Sequence, residues 1–244
     1  MIAVTAALAA SATGCSSSSS SPGAITVLAA ASLQEAFTAL GQQFEAANPG
    51  VKVQFSFGAS SALAEQINSG APADVFASAS PANMAQVVDA GGASASTNFV
   101  KNVMEIAVPP GNPANITSVA DLAKSTVKVA LCQPQVPCGA VAAQVFQNAN
   151  ITVTPVTLEA DVKSTLSKVE LGEVDAGVVY VTDVRSAGDQ VLGVPIPDDI
   201  NASTEYPIAA LTKAPNAAGA QAFVSFVLSP AGQSVLAAAG FERP

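Results

Sequence analysis

Histidine is missing from the chain altogether, and charged residues of every kind make up only 11% of it. The first absence removes the commonest general base and the commonest metal ligand. The second leaves 9 lysines and arginines against 18 aspartates and glutamates, a net charge of −9 with no basic cluster. Nucleic acid is therefore excluded as a partner. A small anion is not, because a compact site feels local dipoles more than a screened distant surface. No internal apolar run reaches the length of a membrane span. The Gly-x-Ser-x-Gly elbow of serine hydrolases is also absent, which together with the missing histidine leaves a Ser or Cys hydrolase as a poor alternative. What the chain does have is apolar surface. Half of its 244 residues are hydrophobic, enough for a substantial core in one large domain or two small ones.

The stretch from Ile25 to Phe37 organises the rest. Ile25 to Leu28 is a short apolar run that opens on β-branched residues, and it reads as a buried strand. Ser32 then stands where a helix N-cap belongs, with Glu35 at capping-box spacing behind it. Leu33, Ala36, Phe37, Leu40 and Phe44 follow as one helical face. A strand that ends on a helix N-terminus offers free N–H groups and a positive dipole end to an anion.

The pattern returns along the chain. Val51 to Phe57 alternates as a strand, Gly58-Ala59-Ser60-Ser61 turns, and Leu63, Ala64 and Ile67 continue as a helix. Asp74 to Ala79 is a third strand, and Ser80-Pro81 opens a helix with proline at its first position. Val103 to Val108 and Val127 to Leu131 read as strands. Gln133 to Gly139 reads as a turn, with Val141, Val145 and Phe146 on the helix behind it. Val153 to Leu158 is a strand, and Asp161 caps a helix carrying Val162, Leu166 and Val169. Asp175 to Tyr180 and Tyr206 to Leu211 are the last strands, before two tail helices over Asn216 to Leu228 and Pro230 to Ala239. Strands alternating with helices predict an α/β fold with mostly parallel sheets, which bind ligands at the carboxyl ends of their strands. Ser32, Ser60, Cys138, Val162 and Tyr180 all fall at such ends. They offer hydroxyls and backbone N–H groups, neutral donors that together suit a compact oxyanion. Asp161, Asp74 and Asp175 read as caps or strand flanks rather than as catalytic acids.

The N-terminus is a targeting segment. Residues Met1 to Gly14 are small and apolar, and Ala12-Thr13-Gly14-Cys15 resembles the bacterial lipobox, in which the cysteine is lipidated. No lysine or arginine precedes the apolar stretch, which departs from a standard signal peptide. Ser16 to Ser21, with Pro22-Gly23, form a flexible tether.

Several segments carry a family resemblance. They are Ala29 to Leu33, Gly58 to Ser61, Gly70 to Phe76, Asp161 to Leu166, Gly177 to Asp183, Tyr206-Pro207-Ile208 and the tail from Phe223 to Phe241. Together they are similar to the molybdate-binding proteins of bacterial ABC transporters, from about Ile25 to Phe241. The resemblance implies a two-lobed periplasmic-binding-protein fold, with the first lobe built from 24–101 and 207–244 and the second from 102–206, after a leader and tether over 1–23. It implies that Ser32 and Ser60 bind molybdate or tungstate through hydroxyl and backbone donors, Cys138 and Val162 through backbone N–H groups, and Tyr180 through its hydroxyl. The metal is held as an oxyanion, with no direct protein ligand and no cofactor. The implied partner is a membrane permease, for a lipid-anchored, extracytoplasmic, monomeric protein that is not an enzyme. A sulfate-binding protein of the same fold is the alternative, and a surface lipoprotein without a ligand would leave the five positions unexplained. With Cys15 lipidated, Cys132 and Cys138 remain as an even pair in an oxidising compartment, which predicts a disulfide between them.

Overall fold

The computed structural model describes residues 23–244. The Cys15 lipobox and the serine tether lie outside the described residues. Strand β1 (Ala24–Ala30) is buried along almost its whole length. It runs parallel to β2 (Lys52–Gly58) on one side and to β3 (Val75–Ala77) on the other. The antiparallel strand β9 (Ser203–Ala210) completes this first group beside β3. In the second group, β5 (Val129–Cys132) lies parallel to both β6 (Thr157–Glu159) and β7 (Ala176–Tyr180). The two groups meet through β4 (Thr97–Val108). Its first half, Thr97 to Val103, pairs with β9, and Met104 to Ala107 pair with β7. A short strand, β8 (Leu192–Pro195), adds to the same end of β4. The strand order is β2-β1-β3-β9-β4-β7-β5-β6. The parallel pairings thus form the body of each group, and every antiparallel pairing involves β4 or β9.

Helices cover these strands on both faces, as parallel strands require. In the first lobe, α1 (Gln34–Ala47), α7 (Ala217–Leu228) and α8 (Pro230–Ala239) close one face around Phe37, Leu40, Phe44 and Phe223. The rings of Phe44 and Phe223 meet edge to face at 5.3 Å, a geometry that places the positive edge of one ring on the negative face of the other. On the opposite face, α2 (Ser60–Asn68) and α3 (Pro81–Asp89) bury Leu63, Met84 and Val87 against Leu28 and Phe76. The second lobe has its own core, in which α4 (Pro137–Asn148) and α5 (Val162–Glu170) bury Val145, Leu166 and Val169 against Ile106, Val129 and Val178. The short helix α6 (Val181–Ala187) continues directly from β7.

Local chemistry sets most helix ends. Ser80 accepts from the Asn83 N–H with Pro81 behind it, and Asp161, Asn216 and Ser229 cap α5, α7 and α8 in the same way. Gly240 ends α8 at φ +101°, a left-handed position that glycine takes without penalty. β8 has no counterpart in the sequence expectation, β3 is shorter than Asp74 to Ala79, and three more strands shift their bounds. β4 begins six residues before Val103 and β9 three before Tyr206, because their polar residues alternate with buried ones and the pleat turns them outward. β6 keeps only the end of Val153 to Leu158. Pro155 cannot donate to a ladder, so pairing starts after it.

Candidate functional site

Five strand ends meet where the lobes face each other. β1 leads through a tight 3-10 turn, Ala31–Leu33, into α1, and β2 leads through Ala59 into α2. From the other lobe, β5 leads to α4, the loop after β6 leads to α5, and β7 leads to α6. Between them is a cavity with room of about 20 Å³ for the centre of a water-sized sphere. Ser32, Ser60, Cys138, Val162 and Tyr180 all line it, as do Ala31, Ala59 and Pro137. A space of this size suits a compact ion. The starts of α2, α4 and α5 and the 3-10 turn ahead of α1 surround it, and the first-turn N–H groups of a helix have no acceptor within the helix. Three helix N-termini therefore face the cavity beside the turn that carries Ser32, without a single lysine or arginine in the lining.

Each residue reaches the cavity in its own way. Ser60 is the first residue of α2, and its Oγ accepts from the Ala79 N–H at 2.9 Å. That bond uses a lone pair and leaves the hydroxyl proton free. Ser32 is not the N-cap that its spacing to Glu35 predicts. It lies inside the 3-10 turn, α1 starts at Gln34 without a side-chain cap, and Ser32 Oγ instead lies 2.9 Å from the Tyr206 hydroxyl. The 3-10 turn advances the chain before the α-helix begins, so the capping box has no helix end to close. Glu35 is thereby free for another role. Cys138 lies in the first turn of α4, and the Cys132 and Cys138 sulfurs are 2.03 Å apart. Gly139 follows, where a Cβ would collide with the Gln133 carbonyl and lie 2.8 Å from the Cys132 oxygen. Only glycine lets the start of α4 pass this close to the end of β5. Val162 opens α5. Asp161 also lines the cavity, but its Oδ1 accepts from the Ser164 N–H at 2.9 Å, so that oxygen is occupied as a cap.

Tyr180 carries the clearest sign of a missing partner. It is the last residue of β7 and fully buried, it lines the cavity, and its hydroxyl has no hydrogen-bond partner among the described residues. Buried hydroxyls are almost always satisfied. Burial, with the nearby Tyr206 and Asp183, holds its pKa well above 10, so it remains a neutral donor.

Two groups of residues were not legible in the sequence. Tyr206 on β9 and Asn102 on β4 are buried behind Ser32, and Asn102 Nδ2 donates to Thr182 Oγ1 at 2.8 Å. An amide between the apolar residues Val100 and Val103, next to Lys101, was the only available signal. The second group joins the lobes. Lys163 on α5 pairs with Glu35 on α1 at 2.8 Å and with Asp183 on α6 at 3.2 Å. Burial opposes the Lys163 charge, but Asp183 and Glu35 outweigh it and raise its pKa. Asp183 is fully buried, and desolvation lifts its pKa from 3.8 to about 6 against the pull of Lys163.

That shift has a consequence for stability. Between pH 4 and 6 the folded protein holds more of the Asp183 proton than the unfolded chain does, so this residue's contribution falls as pH rises through that window and is level above it. The size is about 3 kcal/mol for a shift of this extent. Urea unfolding of the wild type and of Asp183→Asn from pH 4 to 7 is expected to show the wild type losing about that much relative to the variant. A difference that does not change with pH would contradict the shift.

The comparisons agree with this geometry. The bacterial extracellular solute-binding protein family matches residues 25–242. The molybdate-binding protein ModA of Mycobacterium tuberculosis is 45% identical over 221 residues, covering 90% of this chain and 85% of that one. Among solved structures, the periplasmic molybdate-binding protein of Azotobacter vinelandii superposes with a TM-score of 0.80 at 22% identity, over 90% of this chain and 99% of that one. The sulfate-binding protein SubI of M. tuberculosis does so with 0.81 at 23%, over 91% and 87%. At these identities the two structures establish the two-lobed fold alone. The family match over nearly the whole described chain and the identity to the mycobacterial protein go further: the chain belongs to the bacterial extracellular solute-binding proteins.

Proposed function

We propose that the protein captures molybdate, and tungstate with it, in the cavity between its lobes and delivers the anion to an ABC transporter permease. The observation that carries this reading is the buried, unpartnered Tyr180 hydroxyl on a cavity ringed by helix N-termini and serine hydroxyls. The 45% identity to a molybdate-binding protein supports the choice of anion. Ser32, Ser60 and Tyr180 give hydroxyl donors, and Cys138 and Val162 give backbone N–H groups. The protein acts as a monomer, lipid-anchored through Cys15 outside the cytoplasm. It binds and releases its ligand without chemistry. Binding of this kind works through the differential affinity of open and closed forms. The first lobe comprises 24–101 and 207–244 and the second 102–206, with the hinge on β4 and β9, a division supported by the change of pairing partner at Val103 and Met104.

A donor-lined cavity discriminates by protonation. Molybdate and tungstate are bare dianions near neutral pH, whereas phosphate keeps a proton that needs an acceptor. A buried donor left unpaired costs roughly 1–3 kcal/mol. A thermal-shift panel of molybdate, tungstate, sulfate and phosphate tests the reading. A ligand at about one hundred times its dissociation constant adds roughly 2.7 kcal/mol of stability. Molybdate and tungstate are expected to raise the melting temperature and phosphate to leave it unchanged. Stabilisation by sulfate in preference to molybdate would assign the protein to sulfate instead, and stabilisation by phosphate at comparable concentration would rule out a donor-only site.

A further inference from the structure

Two of the cavity's three hydroxyls belong to serines, and a hydroxyl can face a ligand with its proton or with a lone pair. For Ser60 the backbone decides. The Ala79 N–H can only donate, so Ser60 Oγ accepts from it and the Ser60 proton is left for the cavity. Ser32 has no such backbone partner. Its neighbour is the Tyr206 hydroxyl at 2.9 Å, and two hydroxyls can share a bond in either direction.

The direction is set further back. Asn102 Oδ1 accepts from the Val103 N–H at 3.1 Å, which fixes the amide with its NH2 pointing the other way. That NH2 faces Thr182 Oγ1 at 2.8 Å and the Tyr206 hydroxyl at 3.5 Å. An amide nitrogen offers only hydrogens, so the Tyr206 oxygen can receive from Asn102 but cannot give to it. Ser32 Oγ is then the acceptor at hydrogen-bond distance for the Tyr206 proton among the described residues, and with that bond made the Ser32 proton is left for the cavity. Burial keeps Tyr206 in its neutral, proton-bearing form. Asn102, Tyr206 and Ser32 are all buried, so no bulk water competes for these bonds, and neither Asn102 nor Tyr206 lines the cavity.

We propose that Asn102 and Tyr206 are positioning residues that determine anion specificity, by forcing the Ser32 hydroxyl to present its proton to the ligand. This deepens the molybdate reading and rests on it. In the present direction of the chain, Ser32 is poorly placed to accept the proton of hydrogen phosphate, because turning it around would set the Tyr206 proton against the Asn102 NH2. Asn102→Asp changes one atom and reverses the chain. The new carboxylate accepts from Val103, Thr182 and Tyr206; Tyr206 then accepts from Ser32, and Ser32 turns a lone pair to the cavity.

Calorimetric titration with sodium molybdate and inorganic phosphate tests this in four proteins: wild type, Asn102→Asp, Tyr206→Phe and the double variant. Asn102→Asp is expected to weaken molybdate roughly tenfold, the scale of one charge-assisted hydrogen bond, and to weaken phosphate less, so that the molybdate-to-phosphate ratio falls. Tyr206→Phe cuts the chain, so adding Asn102→Asp to it is expected to leave that ratio unchanged. Equal weakening of both anions, or the same change of ratio with and without the Tyr206 hydroxyl, would overturn the proposal in favour of simple charge repulsion. Should Asn102→Asp fail to fold, Tyr206→Phe alone decides: it must weaken molybdate several-fold, and an unchanged affinity overturns the proposal. Failure of the wild type itself to bind molybdate would instead remove the reading on which the proposal rests.

Discussion

Replacing both Ser32 and Ser60 by alanine is expected to weaken molybdate binding by roughly two to four orders of magnitude, since each hydrogen bond to a charged group contributes about 1.5–3 kcal/mol. The two serines come from the ends of β1 and β2, adjacent parallel strands that pair from Ala24 with Lys52 to Ala30 with Gly58. That register carries both hydroxyls to the same end of the sheet, where they face one cavity. The single variants are expected to share the loss unequally with stability. Ser60→Ala also leaves the Ala79 N–H without its 2.9 Å acceptor, and Ser32→Ala removes the partner of the Tyr206 hydroxyl. Because both serines bind the same ion, their effects need not add. Titration calorimetry, with melting measured in parallel, checks the result. Unchanged affinity in the double variant of a folded protein would remove both residues from the site.

Gly139→Ala is expected to be as damaging by a different route. The added Cβ would collide with the Gln133 carbonyl and press on Cys132 O at 2.8 Å. Both obstacles are backbone, and they belong to a turn held at its two ends by Cys132 and Cys138. Neither can move aside as a side chain would. Overpacking a rigid site costs about 1–3 kcal/mol, and this case falls at the upper end or beyond. Relief requires the start of α4 to swing away, and Cys138 would leave the cavity lining with it. The variant should therefore lose stability in denaturant unfolding and fail to be stabilised by molybdate. Gly58→Ala is the control, since it also borders the cavity but its Cβ meets only Leu63 at ordinary contact distances of 3.8 Å and more. Equal stability of the two alanine variants would show that the approach of α4 to β5 is not tight.

The sequence by itself determined the strand–turn–helix units and the residues at their junctions. Ser60 at the start of α2, Asp161 as the cap of α5 and Tyr180 at the end of β7 were legible because each is decided within about one turn of chain, by apolar period, small turn residues and short polar caps. Local rules failed at Ser32. Its spacing to Glu35 satisfies a capping box, yet the hydroxyl is drawn to Tyr206, 174 residues away. Glu35 is drawn to Lys163 on the other lobe. Tertiary structure alone decided such pairings, because they depend on which strand ends are brought together when β4 pairs with β9 along one half and β7 along the other. It also decided which neighbours the hydroxyls meet. A serine in a sequence is both donor and acceptor, and only the neighbours that fill its lone pairs make it a donor to an anion.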